Sequence, residues 1–192
     1  MAKIASLVLA LTAMSCFAQE ADPAWLATWD RTQRSRPAKL ASVGRIAPAG
    51  EPGTPLVIHG RVFREDGATP APGIVVFAYQ TDESGVYNVR GADGWRLHGW
   101  ARADAEGRFE FRTIRPASYP SGGTPAHVHF TIEGPEVPRR WTSELRFADD
   151  PFLTDAERRG AGERFSGVRP VAVRDGVQHV ELSLRIEDAG RF

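Results

Sequence analysis

The sequence has little cysteine and no surplus charge of either sign. Cys16 is the single cysteine among 192 residues, which excludes a disulfide scaffold and a thiolate metal cluster. Lys plus Arg and Asp plus Glu both total 24, so the charge balance gives no indication of binding to nucleic acid or to an anionic membrane surface. A metal site in this chain would have to use His, Tyr, Asp or Glu.

The sequence also lacks an apolar run of the roughly 20 residues that cross a bilayer. The apolar run 4–13 is shorter, follows Lys3, and precedes the small residues Cys16 and Ala18. This pattern predicts a secretory signal peptide over residues 1–18 and an exported protein. An alternative makes Cys16 a lipid-anchored cysteine, although residues 13–15 match that processing signal poorly.

Helical patterning is scarce, which argues against an alternating β-α-β architecture. Asp22 and Pro23 predict the start of a short helix that ends near Gln33 and places Trp25, Leu26 and Trp29 on one face. A turn or two of helix is predicted at 154–158. The run 47–55 is rich in Pro and Gly, so we expect residues 19–55 to form a helix and linker and residues 56–192 to form one domain.

Most of the predicted domain consists of short strand patterns separated by turns. In the last of them, Asp175 and Gly176 stand between alternating apolar residues, which favours a two-residue antiparallel hairpin. We therefore predict an all-β fold, an antiparallel β-sandwich with irregular loops. The predicted strands are 56–63, 73–80, 108–114, 126–133, 143–147 and 171–186.

One strand pattern carries two histidines. His127 and His129 are two residues apart, so both imidazoles leave the same face of the sheet, while Val128 and Phe130 take the opposite face. Two such rings can grip a metal ion, but they can equally be surface histidines on a half-exposed strand. Tyr119, between two prolines, and Tyr87, after a turn-forming run, are by themselves ordinary loop aromatics.

The combination of these residues is more specific than any one of them. The segments GIVVFAYQTDESGVY, LHGWARADAEGRFEFRTIRPASYP and PAHVHF, in this order, resemble the intradiol ring-cleavage dioxygenases, the group of protocatechuate 3,4-dioxygenase and catechol 1,2-dioxygenase. The resemblance covers about 56–151. It implies an Fe(III) site in which Tyr87 and His127 are equatorial ligands and Tyr119 and His129 are axial ligands.

The resemblance also implies a reaction. The substrate would be a catechol, which dioxygen converts into a muconate-type diacid by cleavage between the two hydroxyl-bearing carbons. The catechol would displace Tyr119, which would accept a substrate proton and so act as the catalytic base. Free tyrosine has a pKa near ~10, so phenolate ligation at neutral pH requires a cation that displaces the proton.

Two positions depart from the family pattern. Thr124 stands where an arginine is common, three residues before the first histidine, and it offers a neutral hydrogen bond instead of a charge. Arg115, Arg139 and Arg140 are the arginines that we consider as replacements. Glu144 stands where a glutamine is common, and it could orient a ligand, bias the iron potential or face solvent.

The remaining histidines and tryptophans receive structural interpretations. His59, His98 and His179 have no evident ligand partner, and the tryptophans 95, 100 and 141 are more typical of packing than of a binding pocket. Two alternative functions stay open at this point. One is a β-sandwich binding module without catalysis, such as a transthyretin-like module, and the other is a copper or zinc protein that uses His127 and His129.

Overall fold

The computed structural model describes residues 22–88, 94–186 and the backbone of 190–191. The predicted signal peptide 1–18, with Cys16, lies outside the described residues, so export stays a prediction. Within the described part of the chain, no helix combines the length and the apolar character needed to cross a membrane.

The described residues form two short helices and twelve strands. The helices are α1 (Pro23–Gln33) and α2 (Asp155–Arg159). The strands are β1 (Val43–Arg45), β2 (Pro55–Phe63), β3 (Val75–Gln80), β4 (His98–Arg102), β5 (Arg108–Ile114), β6 (His127–Gly134), β7 (Val137–Trp141), β8 (Leu145–Phe147), β9 (Val168–Arg169), β10 (Ala172–Arg174), β11 (Val177–Arg185) and β12 (Gly190–Arg191).

The strands form two facing sheets. One has the order β1-β5-β2-β11-β10, and the other has the order β12-β7-β6-β3-β4, with β8 and β9 joined beside β6. The predicted purely antiparallel sandwich is wrong in one respect, because β1 with β5, β2 with β11, and β8 with β9 pair in parallel. Long connections separate β2 from β11 and β1 from β5, so no tight hairpin imposes an antiparallel direction on them.

The main core lies between the two sheets and follows the alternation of side chains along each strand. Ile58 of β2, Phe111 of β5 and Phe130 of β6 are each 0% exposed. Their neighbours along the strands face outward. Because β6 places Val128 and Phe130 in this core, His127 and His129 emerge on the outer face of the larger sheet.

Helix α1 covers that outer face. Asp22 caps the helix by accepting a hydrogen bond from Ala24 N at 2.9 Å, as predicted. Trp29 is 3% exposed and meets the rings of Phe77 and Trp95 edge-on. Leu26 is 41% exposed, so the prediction that it shares the packed face is wrong. Residue 26 lies about 100° around the helix from residue 25, which turns it towards solvent.

Local sequence signals placed several elements correctly. Asp175 and Gly176 both have positive φ, 50° and 76°, and form the predicted turn between β10 and β11. Helix α2 begins with the capping box of Thr154 and Glu157. Strands β1, β4, β7, β9 and β12 were not predicted. Strand β1 lies in the predicted N-terminal segment, yet it pairs with β5 and joins the smaller sheet.

Candidate metal centre

Two aromatic rings form a stack with the imidazole of His129 in strand β6. His129 of β6 lies directly opposite Tyr79 of β3, and their rings stack at 4.5 Å between centroids. Trp95 stacks on the other face of Tyr79 at 3.8 Å. His127 is 5% exposed. This three-ring stack restricts rotation of the His129 imidazole, which therefore presents its ring nitrogens in fixed directions.

Two loops bring the tyrosines to the histidines. The loop after β3 and the loop after β5 are joined by hydrogen bonds from Thr81 Oγ1 to Ala117 O at 2.7 Å and from Ala117 N to Asp82 O at 3.0 Å. Gly85 has a φ of 77°, and a Cβ there would lie 2.0 Å from the carbonyl oxygen of Ser118. Only glycine permits this close approach of the two loops, which places residues 87 and 119 side by side.

The four residues predicted as ligands converge on one point. Tyr87 Oη lies 2.8 Å from Tyr119 Oη and 2.8 Å from His129 Nε2. Tyr119 Oη lies 3.0 Å from His127 Nε2, which lies 3.1 Å from His129 Nε2. The two tyrosine Oη atoms and the two histidine Nε2 atoms thus form a closed ring of four contacts, which we call the donor ring. Ligands at about 2.0–2.2 Å from one ion and at right angles to each other would be about 3 Å apart.

The protons available to the donor ring are too few for its contacts. His127 Nδ1 donates to the carbonyl of Pro125 at 2.7 Å, and His129 Nδ1 lies 3.1 Å from Glu144 Oε1. If both imidazoles are neutral, each carries its one N–H at Nδ1, and both Nε2 atoms present lone pairs. The two phenol protons can then form hydrogen bonds in only two of the four contacts. In the other two contacts the lone pairs of two donor atoms face each other, and a cation bound in the ring would remove that repulsion. This donor arrangement fits a metal ion.

Glu144 acts behind the ring and does not belong to it. Ligand atoms of His127, His129 and Glu144 lie within 4.8 Å of one another, a grouping that would suit a three-ligand site. The contact of Glu144, however, is with Nδ1 of His129, whereas the tyrosines meet Nε2 on the other side of the ring. The four-atom ring is the better description, because it leaves each imidazole one nitrogen for the metal and one for an orienting acceptor.

Burial and hydrogen bonding set the charge state of the metal-free site. Burial is the main cause that raises the pKa of Tyr87 well above its usual value, and the hydrogen bond between Tyr87 and Tyr119 acts in the same direction. Burial lowers the pKa of His127. The hydrogen bond with His129 is the main cause that lowers the pKa of Glu144 to about 2. Without a cation the site therefore holds a neutral Tyr87, a neutral His127 and an ionised Glu144.

The sequence did not predict the contact of Arg146 with the surroundings of the donor ring. Arg146 Nη2 binds Glu144 Oε2 at 2.9 Å and is therefore one carboxylate away from His129. Two of the arginines considered as replacements for the family arginine are engaged elsewhere, Arg115 with Asp149 and Arg139 with Glu133. The two-residue spacing of 144 and 146 was the available signal, since alternate residues share one face.

The other histidines lie apart from the donor ring. His98 bridges Ser35 and the carbonyl of Trp95, which agrees with a structural role. His59 and His179 contact each other across β2 and β11, with His59 Nε2 3.0 Å from His179 Nδ1. The sequence did not predict that contact. Trp95 and Trp100 are buried, 6% and 8% exposed, and confirm the packing interpretation.

Comparison with known proteins identifies the family. The model of a family described as Dioxygenase matches residues 37–165, which include all four donors of the ring. The chain belongs to the intradiol ring-cleavage dioxygenase family. This confirms the resemblance found in the sequence.

Three curated relatives support the assignment. Catechol 1,2-dioxygenase 2 of Acinetobacter lwoffii is 32% identical over 129 residues, 58% of this chain and 46% of the relative. The protocatechuate 3,4-dioxygenase beta chain of Burkholderia cepacia is 32% identical over 54% of this chain and 49% of its own. The 6-chlorohydroxyquinol 1,2-dioxygenase of Cupriavidus pinatubonensis is 30% identical over 72% of this chain and 53% of the relative. The chain thus spans about half the length of these relatives.

Solved structures show the same fold. Catechol 1,2-dioxygenase from Acinetobacter sp. ADP1 superposes with a TM-score of 0.62 at 20% identity, over 79% of this chain and 58% of the other. The dioxygenase domain of a dioxygenase carbohydrate-binding protein fusion from Streptomyces sp. SirexAA-E gives a TM-score of 0.58 at 24% identity, over 73% and 84%. At these identities the likeness concerns the fold.

Proposed function

We propose that the protein is a non-haem iron(III) dioxygenase that cleaves catechol-type rings between the two hydroxyl-bearing carbons. The observation that carries this proposal is the donor ring, in which two phenol oxygens and two imidazole nitrogens follow one another at 2.8–3.1 Å. Family membership supports the same reaction class. The substrate would be a catechol with dioxygen as co-substrate, and the product would be a muconate-type diacid.

The donor chemistry favours ferric iron over other metals. Tyr87 and Tyr119 supply hard oxygen donors, and His127 and His129 supply imidazole nitrogens. As phenolates, the two tyrosines would offset much of the charge of a trivalent cation. A copper or zinc site that used only the histidines would leave both tyrosine hydroxyl groups within the ring but without a metal. The ring therefore fits iron better than the two-histidine alternative.

The chain's own residues would divide the work of the reaction. Iron, when bound, supplies the Lewis acidity and the electron acceptance that make a catecholate reactive towards dioxygen. Tyr87, His127 and His129 would hold the metal. Strand β6 sets the direction of the two histidines, and the stacked Tyr79 fixes the ring of His129. Tyr119 lies on a loop and is partly exposed, so an incoming catechol could reach it, and its phenolate oxygen would accept a proton from that catechol.

A visible spectrum recorded with the iron content tests the proposal directly. Protein expressed with iron should contain about one iron per chain and show a tyrosinate-to-iron charge-transfer band. Catechol added without oxygen should shift the band, and oxygen should then yield the ring-opened diacid. A protein that stays colourless after reconstitution with iron would overturn the proposal, and stoichiometric copper or zinc in its place would favour the two-histidine alternative.

A further inference from the structure

Glu144 connects the donor ring to the rest of the fold. It immediately precedes strand β8, and its Oε1 atom lies 3.1 Å from Nδ1 of His129. Its side chain is 31% exposed, whereas that of His129 is 16% exposed. A carboxylate on the outer nitrogen of an imidazole fixes the proton there and leaves the inner nitrogen free to donate to a metal.

The second oxygen of Glu144 is fixed as well. Oε2 accepts hydrogen bonds from Arg146 at 2.9 Å from Nη2 and 3.3 Å from Nε. Arg146 also pairs with Glu157, which accepts from Thr154 N at 2.8 Å at the start of α2. Each member of this series contacts the next one, so the Glu144 carboxylate is linked through Arg146 to the first turn of helix α2.

We propose that Glu144 is a positioning residue that directs Nε2 of His129 into the donor ring and places a negative charge behind that imidazole. The inference rests on the proposed iron site and adds a determinant of its affinity and redox preference. A charged acceptor makes the imidazole a stronger donor than a neutral one would. The site should accordingly prefer the higher charge of iron(III), which lowers its midpoint potential.

Substitution separates the two parts of this role in the iron-loaded protein. Glu144→Gln retains an oxygen that can accept the hydrogen bond, but it removes the charge. We expect this variant to keep iron while its midpoint potential rises and its charge-transfer band moves to longer wavelength. Glu144→Ala removes both the acceptor and the charge, and we expect its iron affinity to fall by about 10- to 100-fold, measured by competition with a chelator.

Glu110→Gln is the matched control. Glu110 Oε2 lies 3.6 Å from Nδ1 of His59, which is a similar carboxylate-histidine contact on the other sheet and outside the donor ring. This control should match the parent in iron affinity, potential and spectrum. Circular dichroism of each metal-free variant shows whether it is folded, and Glu144→Gln, which is nearly isosteric, carries the test if Glu144→Ala is not.

The outcomes distinguish this inference from the function on which it rests. If the parent binds iron with a tyrosinate band but the folded Glu144 variants equal Glu110→Gln in affinity and potential, the positioning role is wrong and the iron site stands. A parent that takes up no iron would overturn the proposed function and this inference together. An iron-loaded parent whose potential rises only in the Glu144 variants supports both.

Discussion

The outer faces of the two sheets each carry a pair of histidines, and only one pair lies in the candidate metal centre. His127 and His129 lie on the outer face of the larger sheet, where Tyr79 stacks on His129, and the His129 side chain is 16% exposed. His59 and His179 lie on the smaller sheet, where the His59 side chain is 35% exposed. Each pair has a carboxylate at one Nδ1. The carboxylate contact therefore does not make the difference.

The tyrosines make the difference. The chain has three tyrosines, and all of them lie on the covered side, two in the donor ring and Tyr79 stacked on His129. His59 and His179 instead satisfy each other, because a ring nitrogen of one meets a ring nitrogen of the other at 3.0 Å. The candidate metal centre thus depends on two loops that supply its oxygen donors and on the aromatic ring of Tyr79 packed against His129.

The largest expected effect comes from removing each histidine pair. Changing His127 and His129 together to alanine should abolish iron binding and the charge-transfer band, because two of four ligands are lost. The loss of iron affinity should exceed the factor of about 10 to 100 that is typical when a residue that only orients a ligand is substituted. Changing His59 and His179 together should leave iron content unchanged. Metal analysis of both double variants checks the comparison, which fails if the second variant also loses iron.

The next effect isolates the base proposed for the reaction. In Tyr119→Phe we expect iron to be retained by three ligands, with a shifted band and a turnover rate reduced by about 10²–10⁴-fold, because the proton acceptor is missing. Tyr79→Phe keeps the stacked ring and removes a hydroxyl outside the donor ring, so its spectrum should resemble that of the parent. Stopped-flow kinetics with catechol measures both rates. Equal rates would remove Tyr119 from the mechanism.

The cover that helix α1 forms over the larger sheet can be tested by truncating its side chains. Trp29→Ala should cost about 3–5 kcal/mol of unfolding free energy, since the ring is 3% exposed and packs on Phe77 and Trp95. Leu26→Ala on the same helix should change stability by about 0.5 kcal/mol or less, because Leu26 is 41% exposed. Urea unfolding measures both. Similar losses would mean that α1 contributes no specific packing.

A smaller effect concerns the approach of the two tyrosine loops. Gly85 and Gly73 have nearly equal φ, 77° and 75°, but a Cβ at Gly85 meets Ser118 O at 2.0 Å and one at Gly73 meets nothing within 4 Å. Both alanine variants should lose about 1–2 kcal/mol to backbone strain. Only Gly85→Ala should also weaken iron binding, because it separates the loops. Chelator competition on both variants decides whether the loop contact matters.

The smallest effect is a pH dependence remote from both histidine pairs. The hydrogen bond from Thr69 lowers the pKa of Asp66 from 3.8 to about 2. A lowered folded-state pKa stabilises the fold above pH 3.8, and this contribution is lost as the pH falls towards 2. Asp66→Asn should therefore show a flatter decline of unfolding free energy below pH 4, with parent-like iron release. If Asp66→Asn released iron at a different pH from the parent, the turn at Asp66 would be coupled to the donor ring.

The sequence by itself determined the local features of this protein. The helix cap at Asp22, the turn at Asp175 and the outward direction of the histidines on β6 follow from residues close together in the chain, and all three were predicted. The family pattern also placed Tyr87 and Tyr119 correctly beside them. The structure was needed for contacts between residues that are far apart in sequence.

Only the tertiary structure decided how the strands assemble and what supports the site. The parallel pairing of β2 with β11, the stack of Tyr79 on His129 and the carboxylate of Glu144 behind that ring each join distant segments. Local propensity and two-residue alternation specify which face a side chain occupies, but not which other segment meets that face. That choice results from the packing of the whole sandwich, which is why the sequence named Glu144 without deciding its role and did not predict the stack of Tyr79 on His129.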